Sequence, residues 1–197
     1  MIIKNWRKEV FSIPNVLSMF RLALIPIYVL IYLRADSTAD YFLAAAILAV
    51  SCLTDLIDGK IARHFNMITS LGKIIDPLAD KATQLALIVC LALKYTAIRY
   101  VLGVFVVKES FQLIAGSFKM RKGKMLKGAL LSGKICTTVL FLSLIVMILV
   151  PNLDLDVVNI ISVVDIIFLL IAFAHYVLIY IQNGAMFQEI NKPNNEQ

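Results

Sequence analysis

Six apolar stretches dominate the sequence, and each is long enough to cross a membrane as an α-helix. They cover residues 15–33, 40–58, 75–93, 100–118, 128–150 and 157–181. About 20 helical residues span a hydrocarbon core of ~30 Å, and only short connections remain between the six stretches. The sequence therefore predicts an all-α integral membrane protein with six transmembrane helices, organised as a single domain over residues 1–197.

The composition supports a bilayer environment. Hydrophobic residues make up 60% of the 197 residues and charged residues 16%, whereas an average soluble domain has about 45–50% and about 25%. The first apolar stretch has spanning length and is followed by no small-residue cleavage site, so we expect no cleavable signal peptide. So little polar surface argues against nucleic acid as a partner.

Residues 1–13 precede the first predicted span and mix apolar side chains with lysine and arginine. This pattern favours a short interfacial helix that lies in the headgroup layer and ends before Pro14. A frayed basic tail is the alternative, and the sequence does not separate the two.

The basic residues are distributed unequally between the two sides of the predicted helices. One side receives eleven of them: Lys4, Arg7, Lys8, Lys60, Arg63, Lys73, Lys119, Arg121, Lys122, Lys124 and Lys127. The other side receives Arg34, Lys94 and Arg99. The positive-inside rule then predicts that both termini face the cytoplasm, and the formal net charge of +6 favours anionic membrane lipids.

Cysteine and histidine offer no metal-binding pattern. Cys52, Cys90 and Cys136 lie in three different predicted spans, and His64 and His175 form no cluster. We therefore expect the cysteines to be small core residues and the histidines to be structural hydrogen-bonding groups.

Four aspartates interrupt this apolar pattern within residues 54–81, TDLIDGKIARHFNMITSLGKIIDPLADK. If the second span continues as helix, one face carries residues spaced i, i+3, i+4 and i+7: Asp55, Asp58, Gly59 and Ala62. The third span carries Gly72, Asp76 and Asp80 at i, i+4 and i+8, and Pro77 is acceptable if that helix begins a few residues earlier. A short loop joins the two spans, so the sequence predicts a hairpin whose carboxylate faces meet.

Four converging carboxylates at membrane depth require compensation. A site with only oxygen ligands selects hard ions such as Mg²⁺, with Mn²⁺ or Ca²⁺ as substitutes. Two bridged metal ions stabilise phosphoryl transfer, and glycines let a phosphate approach the backbone. Alternatively, the aspartates form a structural salt-bridge network with nearby basic residues, namely Lys60, Arg63, Lys73 and Lys81.

The pattern Asp-x2-Asp-Gly-x2-Ala-Arg-x8-Gly-x3-Asp-x3-Asp, from Asp55 to Asp80, resembles the signature of the CDP-alcohol phosphatidyltransferases at all eight fixed positions. Two flanking segments are also similar to segments of phosphatidylglycerophosphate synthases: SIPNVLSMFRLALIPIY (12–28) and SGKICTT (132–138). In the first of these, Asn15, Ser18 and Arg21 recur, and we expect Arg21 to pack against an acidic neighbour or a lipid phosphate.

The resemblance implies an enzyme that transfers a phosphatidyl group from CDP-diacylglycerol to an alcohol and releases CMP. It implies Asp55, Asp58 and Asp76 as ligands of two Mg²⁺ ions, with Asp80 as a further ligand and the general base. It also implies that Arg63 binds the diphosphate, while Gly59, Ala62 and Gly72 leave room for CDP-diacylglycerol. The family further implies a homodimer.

The acceptor alcohol is predicted to be glycerol 3-phosphate, bound by Lys108 and Lys134. In the fourth span the sequence FVVKESFQ has Lys108 where these synthases carry an arginine before the glutamate, here Glu109. Lysine lacks the bidentate guanidinium, so phosphatidylglycerol, the acceptor of the family's cardiolipin synthases, is the alternative.

Two more distant functions also explain intramembrane aspartates. An intramembrane prenyltransferase presents two aspartate-rich motifs but is generally longer and lacks the Gly-x2-Ala-Arg element. A divalent-cation transporter needs access from both faces, whereas all four carboxylates are predicted on the cytoplasmic side. Release of CMP from CDP-diacylglycerol distinguishes the three. Asp165, alone in the sixth span, is expected either to pair with a hydroxyl or His175 or to belong to a site.

Overall fold

The computed structural model describes residues 12–64, 72–121, 124–126, 130–150, 152–182 and 187–189. Within these residues it contains six α-helices: α1 (Ile13–Leu33), α2 (Thr38–His64), α3 (Gly72–Lys94), α4 (Thr96–Arg121), α5 (Leu131–Leu149) and α6 (Leu155–Gln182). Each helix coincides with one predicted span. Of the predicted interfacial segment 1–13, residues 1–11 lie outside the described part of the chain.

The helices containing the aspartate motif are longer than the apolar stretches that predicted them. Helix α2 continues through the motif to His64, so the spacing assumed for Asp55 to Ala62 is helical. Helix α3 begins at Gly72, which puts Pro77 in its second turn. A proline near a helix start removes few backbone hydrogen bonds, so the expected tolerance of Pro77 is confirmed.

Among the described residues, four helices contain apolar segments long enough to cross a bilayer: Asn15–Leu33, Thr96–Lys119, Leu131–Leu149 and Leu155–Ile181. Helix α2 has a shorter apolar segment, Thr38–Thr54. Large apolar side chains are exposed on these helices; Leu113 and Ile114 on α4 are 70% and 71% exposed. Such surfaces suit hydrocarbon rather than water, and the chain is a multi-pass membrane protein.

The chain divides into two compact units. The first comprises Met1–Lys94 with Leu144–Asn152, and in it α1 packs against both α2 and α3. Its buried apolar residues include Ala44, Leu87 and Leu91. Helix α1 therefore contacts both helices that carry the aspartate motif.

The second unit comprises Tyr95–Ser143 with Leu153–Gln197. Helix α4 packs against α6 in this unit, with Phe111 of α4 at right angles to Phe173 of α6 at a centroid distance of 5.3 Å. Edge-to-face pairs of this kind add to the packing energy of buried aromatic rings.

A two-stranded antiparallel sheet in the second unit was not predicted by the sequence. Strand β1 (Lys124–Leu126) pairs with β2 (Phe187–Glu189), so that Met125 lies opposite Gln188. The expectation of an all-α fold is therefore right for the membrane helices but omits this sheet. Strands of three residues are too short to give a recognisable alternation of apolar and polar side chains.

Candidate active site

Three polar residues of α1 are buried although the helix is otherwise strongly apolar. Asn15, Ser18 and Arg21 are 1%, 0% and 2% exposed. They are spaced three residues apart, so they follow one side of the helix. Buried polar groups cost free energy unless they find hydrogen-bond partners. These side chains of α1 therefore require polar partners on a neighbouring helix.

The partners of Ser18 and Arg21 are the two carboxylates of α3. Ser18 Oγ donates to Asp76 Oδ1 at 2.6 Å, and Arg21 Nη1 donates to Asp80 Oδ1 at 2.5 Å. The donors are three residues apart on α1, and the acceptors are four residues apart on α3. Two successive turns of α1 therefore lie beside two successive turns of α3. These contacts join the first-span motif to the aspartate motif.

The two sides of the Arg21–Asp80 ion pair differ in accessibility. The Arg21 side chain is 3% exposed, whereas the Asp80 side chain is 52% exposed. The guanidinium thus holds the carboxylate from the protein side, while half of the carboxylate surface stays accessible to a ligand. Outer partners of this kind fix the orientation of carboxylates that bind metals or move protons.

The expectation that Arg21 packs against an acidic neighbour is confirmed, and that neighbour is Asp80. The hydrogen bond from Ser18 to Asp76 was not predicted. Its signal was present in the spacing of Asn15, Ser18 and Arg21, which marks a polar stripe in an apolar helix, but the sequence does not say which helix that stripe contacts.

The other half of the motif lies in α2, which contains Asp55, Asp58, Gly59, Ala62 and Arg63. Beyond their place on this helix, these five residues lie outside the described part of the structure. The predicted convergence of the α2 carboxylates with those of α3 therefore remains a prediction. Gly72, the first residue of α3, is buried.

The described residues fit an oxygen-only metal site as far as they extend. Asp76 and Asp80 lie one turn apart on α3, and each is held through Oδ1 by a donor from α1. Carboxylate oxygens are the donors that Mg²⁺ prefers. Among the described residues, no group of three or more His, Cys, Asp or Glu side chains could hold a metal ion, so a complete Mg²⁺ site requires ligands beyond these two.

The two lysines predicted to bind the acceptor belong to the second unit. Lys108 on α4 is 3% exposed, and its Nζ lies 2.6 Å from Oε1 of Glu109. Lys134, in the first turn of α5, is exposed. Their joint role in acceptor binding remains a prediction.

Four polar residues of α5 and α6 form two further pairs. Ser143 Oγ lies 2.7 Å from Asp165 Oδ2, so the hydroxyl partner expected for Asp165 is confirmed. His175 instead pairs through Nδ1 with Ser132 Oγ at 2.7 Å. All three cysteines lie in described helices and none forms a disulfide; Cys90 and Cys136 are buried and Cys52 is partly buried, as expected for small packing residues.

Comparison with known proteins covers most of the chain. The family model described as CDP-alcohol phosphatidyltransferase matches residues 11–178. This range contains the polar stripe of α1, the whole aspartate motif, Lys108, Lys134 and the two polar pairs of α5 and α6.

Individual relatives match over shorter segments. The chain is 35% identical over 118 residues to a cardiolipin synthase (CMP-forming) of Streptomyces coelicolor, covering 58% of this chain and 54% of that protein. It is 44% identical over 71 residues to a CDP-diacylglycerol–glycerol-3-phosphate 3-phosphatidyltransferase of Escherichia coli, covering 36% and 38%.

A third relative is a probable phosphatidylglycerophosphate synthase of Mycobacterium tuberculosis, 36% identical over 77 residues, which covers 38% of this chain and 37% of that protein. The matches thus span about half or less of the length of these three relatives. One of the three is named as a cardiolipin synthase, one as a probable phosphatidylglycerophosphate synthase, and one as a glycerol-3-phosphate 3-phosphatidyltransferase.

Proposed function

Because the chain belongs to the CDP-alcohol phosphatidyltransferase family, we propose that it transfers a phosphatidyl group from CDP-diacylglycerol to glycerol 3-phosphate. The products are phosphatidylglycerophosphate and CMP. The observation that carries this proposal is the pairing of buried Ser18 and Arg21 with Asp76 and Asp80. It orients two motif carboxylates while one of them keeps half of its surface accessible.

Asp55, Asp58, Asp76 and Asp80 are the proposed ligands of two Mg²⁺ ions, with Mn²⁺ as a substitute. When bound, the metal ions neutralise charge on the diphosphate oxygens of CDP-diacylglycerol. Ser18 and Arg21 support this role because each holds one carboxylate through a single oxygen. A salt-bridge network alone explains the pair with Arg21 but not the neutral donor on Asp76.

Gly59, Ala62, Arg63 and Gly72 are the proposed contacts of CDP-diacylglycerol. Glycine and alanine leave space for a nucleotide close to the helix backbone. An arginine offers a planar pair of donors that suits a diphosphate. The helical course of α2 through His64 supports this assignment, since it puts Gly59, Ala62 and Arg63 on the same helix as Asp55 and Asp58.

Asp80 is the proposed general base. The acceptor hydroxyl attacks the phosphorus that carries diacylglycerol, its proton passes to Asp80, and the bond from that phosphorus to the CMP oxygen breaks. CMP leaves with the electron pair of that bond. The 52% exposure of the Asp80 side chain supports this role because a base must reach the reacting hydroxyl. Arg21 keeps the carboxylate in one orientation.

Lys108 and Lys134 are the proposed acceptor contacts. Glycerol 3-phosphate carries a phosphate dianion, which requires cations in addition to Arg63. Lys108 is a buried cation already paired with Glu109, and Lys134 is an exposed one. Together they offer the charge that a small dianionic acceptor needs.

Phosphatidylglycerol is the second candidate acceptor, which would make the enzyme a cardiolipin synthase. The match of 118 residues to the Streptomyces cardiolipin synthase favours it, since the Escherichia coli match covers 71 residues. Lys108 in place of arginine favours it as well.

The proposed topology has all six helices crossing the membrane, with the active site and both termini facing the cytoplasm of a bacterial cell. The excess of lysine and arginine on that side supports this orientation. The expected partners are membrane lipids and a second copy of the chain in a homodimer.

The test is release of CMP from CDP-diacylglycerol by purified protein in detergent, measured with and without Mg²⁺. Glycerol 3-phosphate and phosphatidylglycerol are supplied separately as acceptors. We expect turnover only with Mg²⁺ or Mn²⁺ and only with glycerol 3-phosphate. Turnover with phosphatidylglycerol but not glycerol 3-phosphate would show that phosphatidylglycerol is the acceptor. Absence of CMP release with either acceptor would contradict the proposed transferase activity.

The metal assignment is tested in the same assay with single Asn substitutions at Asp55, Asp58 and Asp76. A neutral amide is a poor substitute for a metal-bridging carboxylate. We expect loss of activity and sharply weaker Mn²⁺ binding in each variant. Near-normal turnover in any one of them contradicts its role as a ligand.

A further inference from the structure

Lys108 keeps its ammonium group inside the protein although it lies in the middle of a long membrane helix. Helix α4 extends about equally far on both sides of this residue, and the Lys108 side chain is 4% exposed. A lysine in such a helix usually extends along the apolar surface until its charge reaches the headgroups. Specific contacts must therefore hold the ammonium in place.

In the part of the chain that the structure describes, two groups contact the Lys108 ammonium. The carboxylate of Glu109 lies 2.6 Å from Nζ, and the ring of Tyr176 on α6 lies with its centroid 5.9 Å from Nζ. An ammonium at this distance from an aromatic ring is attracted by the ring electrons, and the attraction strengthens where water is excluded. Glu109 is the next residue on the same helix, so Tyr176 is the contact that comes from a different helix.

The position of the Tyr176 ring is itself fixed from two further directions. Its hydroxyl lies near the side chain of Gln112 and the backbone of Leu130. Tyr176 is 8% exposed, so these neighbours surround it away from solvent. The ring therefore lies close to α4 at Gln112 and to the start of α5 at Leu130.

Gly133 provides the space that the Tyr176 hydroxyl occupies. A Cβ atom at residue 133 would lie 2.6 Å from Tyr176 Oη and 3.1 Å from Cε2. Real Cβ atoms essentially never approach another heavy atom to 2.6 Å, so any other residue at 133 would displace the ring. Gly133 immediately precedes Lys134. Tyr176 therefore fills the space beside the residue before Lys134, and its ring also contacts Lys108.

We infer that Tyr176 is a positioning residue for the acceptor phosphate: its ring holds the Lys108 ammonium at a fixed depth, and Gly133 is required for the ring to lie there. This inference rests on the proposed role of Lys108 in acceptor binding. A purely structural Tyr176 would instead join α4, α5 and α6 without affecting one substrate more than the other.

The test compares Michaelis constants for the two substrates in six variants, using whichever acceptor the wild-type protein turns over. Tyr176→Leu removes the ring, and we expect the KM for the acceptor to rise about tenfold, the scale of a desolvated cation–ring contact. The KM for CDP-diacylglycerol should change less than about twofold. Tyr176→Phe keeps the ring and should restore most of the affinity for the acceptor.

Tyr180→Leu is the matched control. Tyr180 lies one turn further along α6 and contacts the ring of Phe111 at 6.0 Å, so its loss removes an aromatic side chain from the same helix. We expect both Michaelis constants to stay near wild type. An equal rise in the acceptor KM in Tyr180→Leu and Tyr176→Leu would overturn the inference, because it would reflect helix packing alone.

Gly133→Ala keeps the test valid if Tyr176→Leu does not fold. This variant displaces the tyrosine without removing it, so we expect a selective rise in the acceptor KM. The Gly133→Ala, Tyr176→Phe double variant lacks the clashing oxygen and should partly reverse that rise. Unchanged acceptor affinity in Gly133→Ala and Tyr176→Leu overturns the inference.

Lys108→Ala separates this inference from the proposed function. If Lys108→Ala raises the acceptor KM while the Tyr176 and Gly133 variants do not, the inference fails and the acceptor role of Lys108 stands. If Lys108→Ala leaves the acceptor KM unchanged, the proposed role of Lys108 fails, and the inference fails with it.

Discussion

Arg21 of α1 donates a hydrogen bond from Nη1 to Oδ1 of Asp80 on α3, and the arginine is buried while the aspartate is half exposed. The cation of this ion pair is therefore inside the protein, and the anion faces outward from it. This arrangement suits a carboxylate that must stay accessible to substrate while keeping a fixed orientation.

We predict that Arg21→Ala lowers kcat for CMP release by about 10- to 100-fold, the usual cost of losing an outer partner of a site carboxylate. The physical reason is that Asp80 loses both its orientation and a compensating positive charge. Arg34→Ala is the control, because Arg34 lies exposed just after the same helix. Equal activity of the two variants would contradict a role for Arg21 at the site.

Ser18→Ala should raise the Mg²⁺ concentration needed for half-maximal activity by about tenfold. The hydroxyl fixes Oδ1 of Asp76 at 2.6 Å, and without it the carboxylate is free to turn away from a metal ion. Ser162→Ala is the control, since Ser162 is equally buried but bonds to the backbone carbonyl of Val158. A Mg²⁺ titration that is unchanged in Ser18→Ala would show that Asp76 needs no outer partner.

Asp80→Asn separates two roles of the same carboxylate. If proton transfer is its main role, the rate should fall about 10²- to 10⁴-fold while binding of CDP-diacylglycerol is retained. Loss of nucleotide binding together with the rate would instead make Asp80 chiefly a metal ligand. Asp156→Asn, an exposed change in the first turn of α6, should leave both quantities at wild-type values.

Asp165 should tolerate asparagine but not alanine. Ser143 Oγ lies 2.7 Å from Asp165 Oδ2 and 2.8 Å from the carbonyl oxygen of Leu140. One hydroxyl proton cannot serve both acceptors well, so the Asp165 side chain is expected to supply a second proton, which an amide also provides. The midpoint of thermal unfolding in detergent should be the same for Asp165→Asn as for the wild-type protein. Asp165→Ala should lower the free energy of unfolding by about 1–3 kcal/mol. An equal loss of stability in both variants would show that the site requires a charged carboxylate.

The membrane helices could be predicted from the sequence because apolar length is a local property. The pairing of Arg21 with an acidic residue was also predictable, since a buried arginine needs an anion. The choice of Asp80 was not, because helical spacing shows which residues share a face but not which helix lies against that face. Only the packing of α1 on α3 supplies the register that joins Ser18 to Asp76.

Two features of the second unit had no usable sequence signal. Lys108 and Glu109 are adjacent, and neighbouring residues on a helix do not normally face each other, so their 2.6 Å ion pair could not be expected. The proximity of Gly133 to Tyr176 joins residues on two different helices. Each depends on side-chain positions that are set only when α4, α5 and α6 are assembled.

The contacts between α1 and α3 also impose an order on biosynthesis. Ser18 and Arg21 precede their partners by 58 and 59 residues, and a chain is made from its N-terminus. The polar stripe of α1 is thus already synthesised when Asp76 and Asp80 leave the ribosome. If α3 enters the bilayer beside α1, each carboxylate finds its hydrogen-bond donor already there, and the free-energy cost of inserting α3 falls.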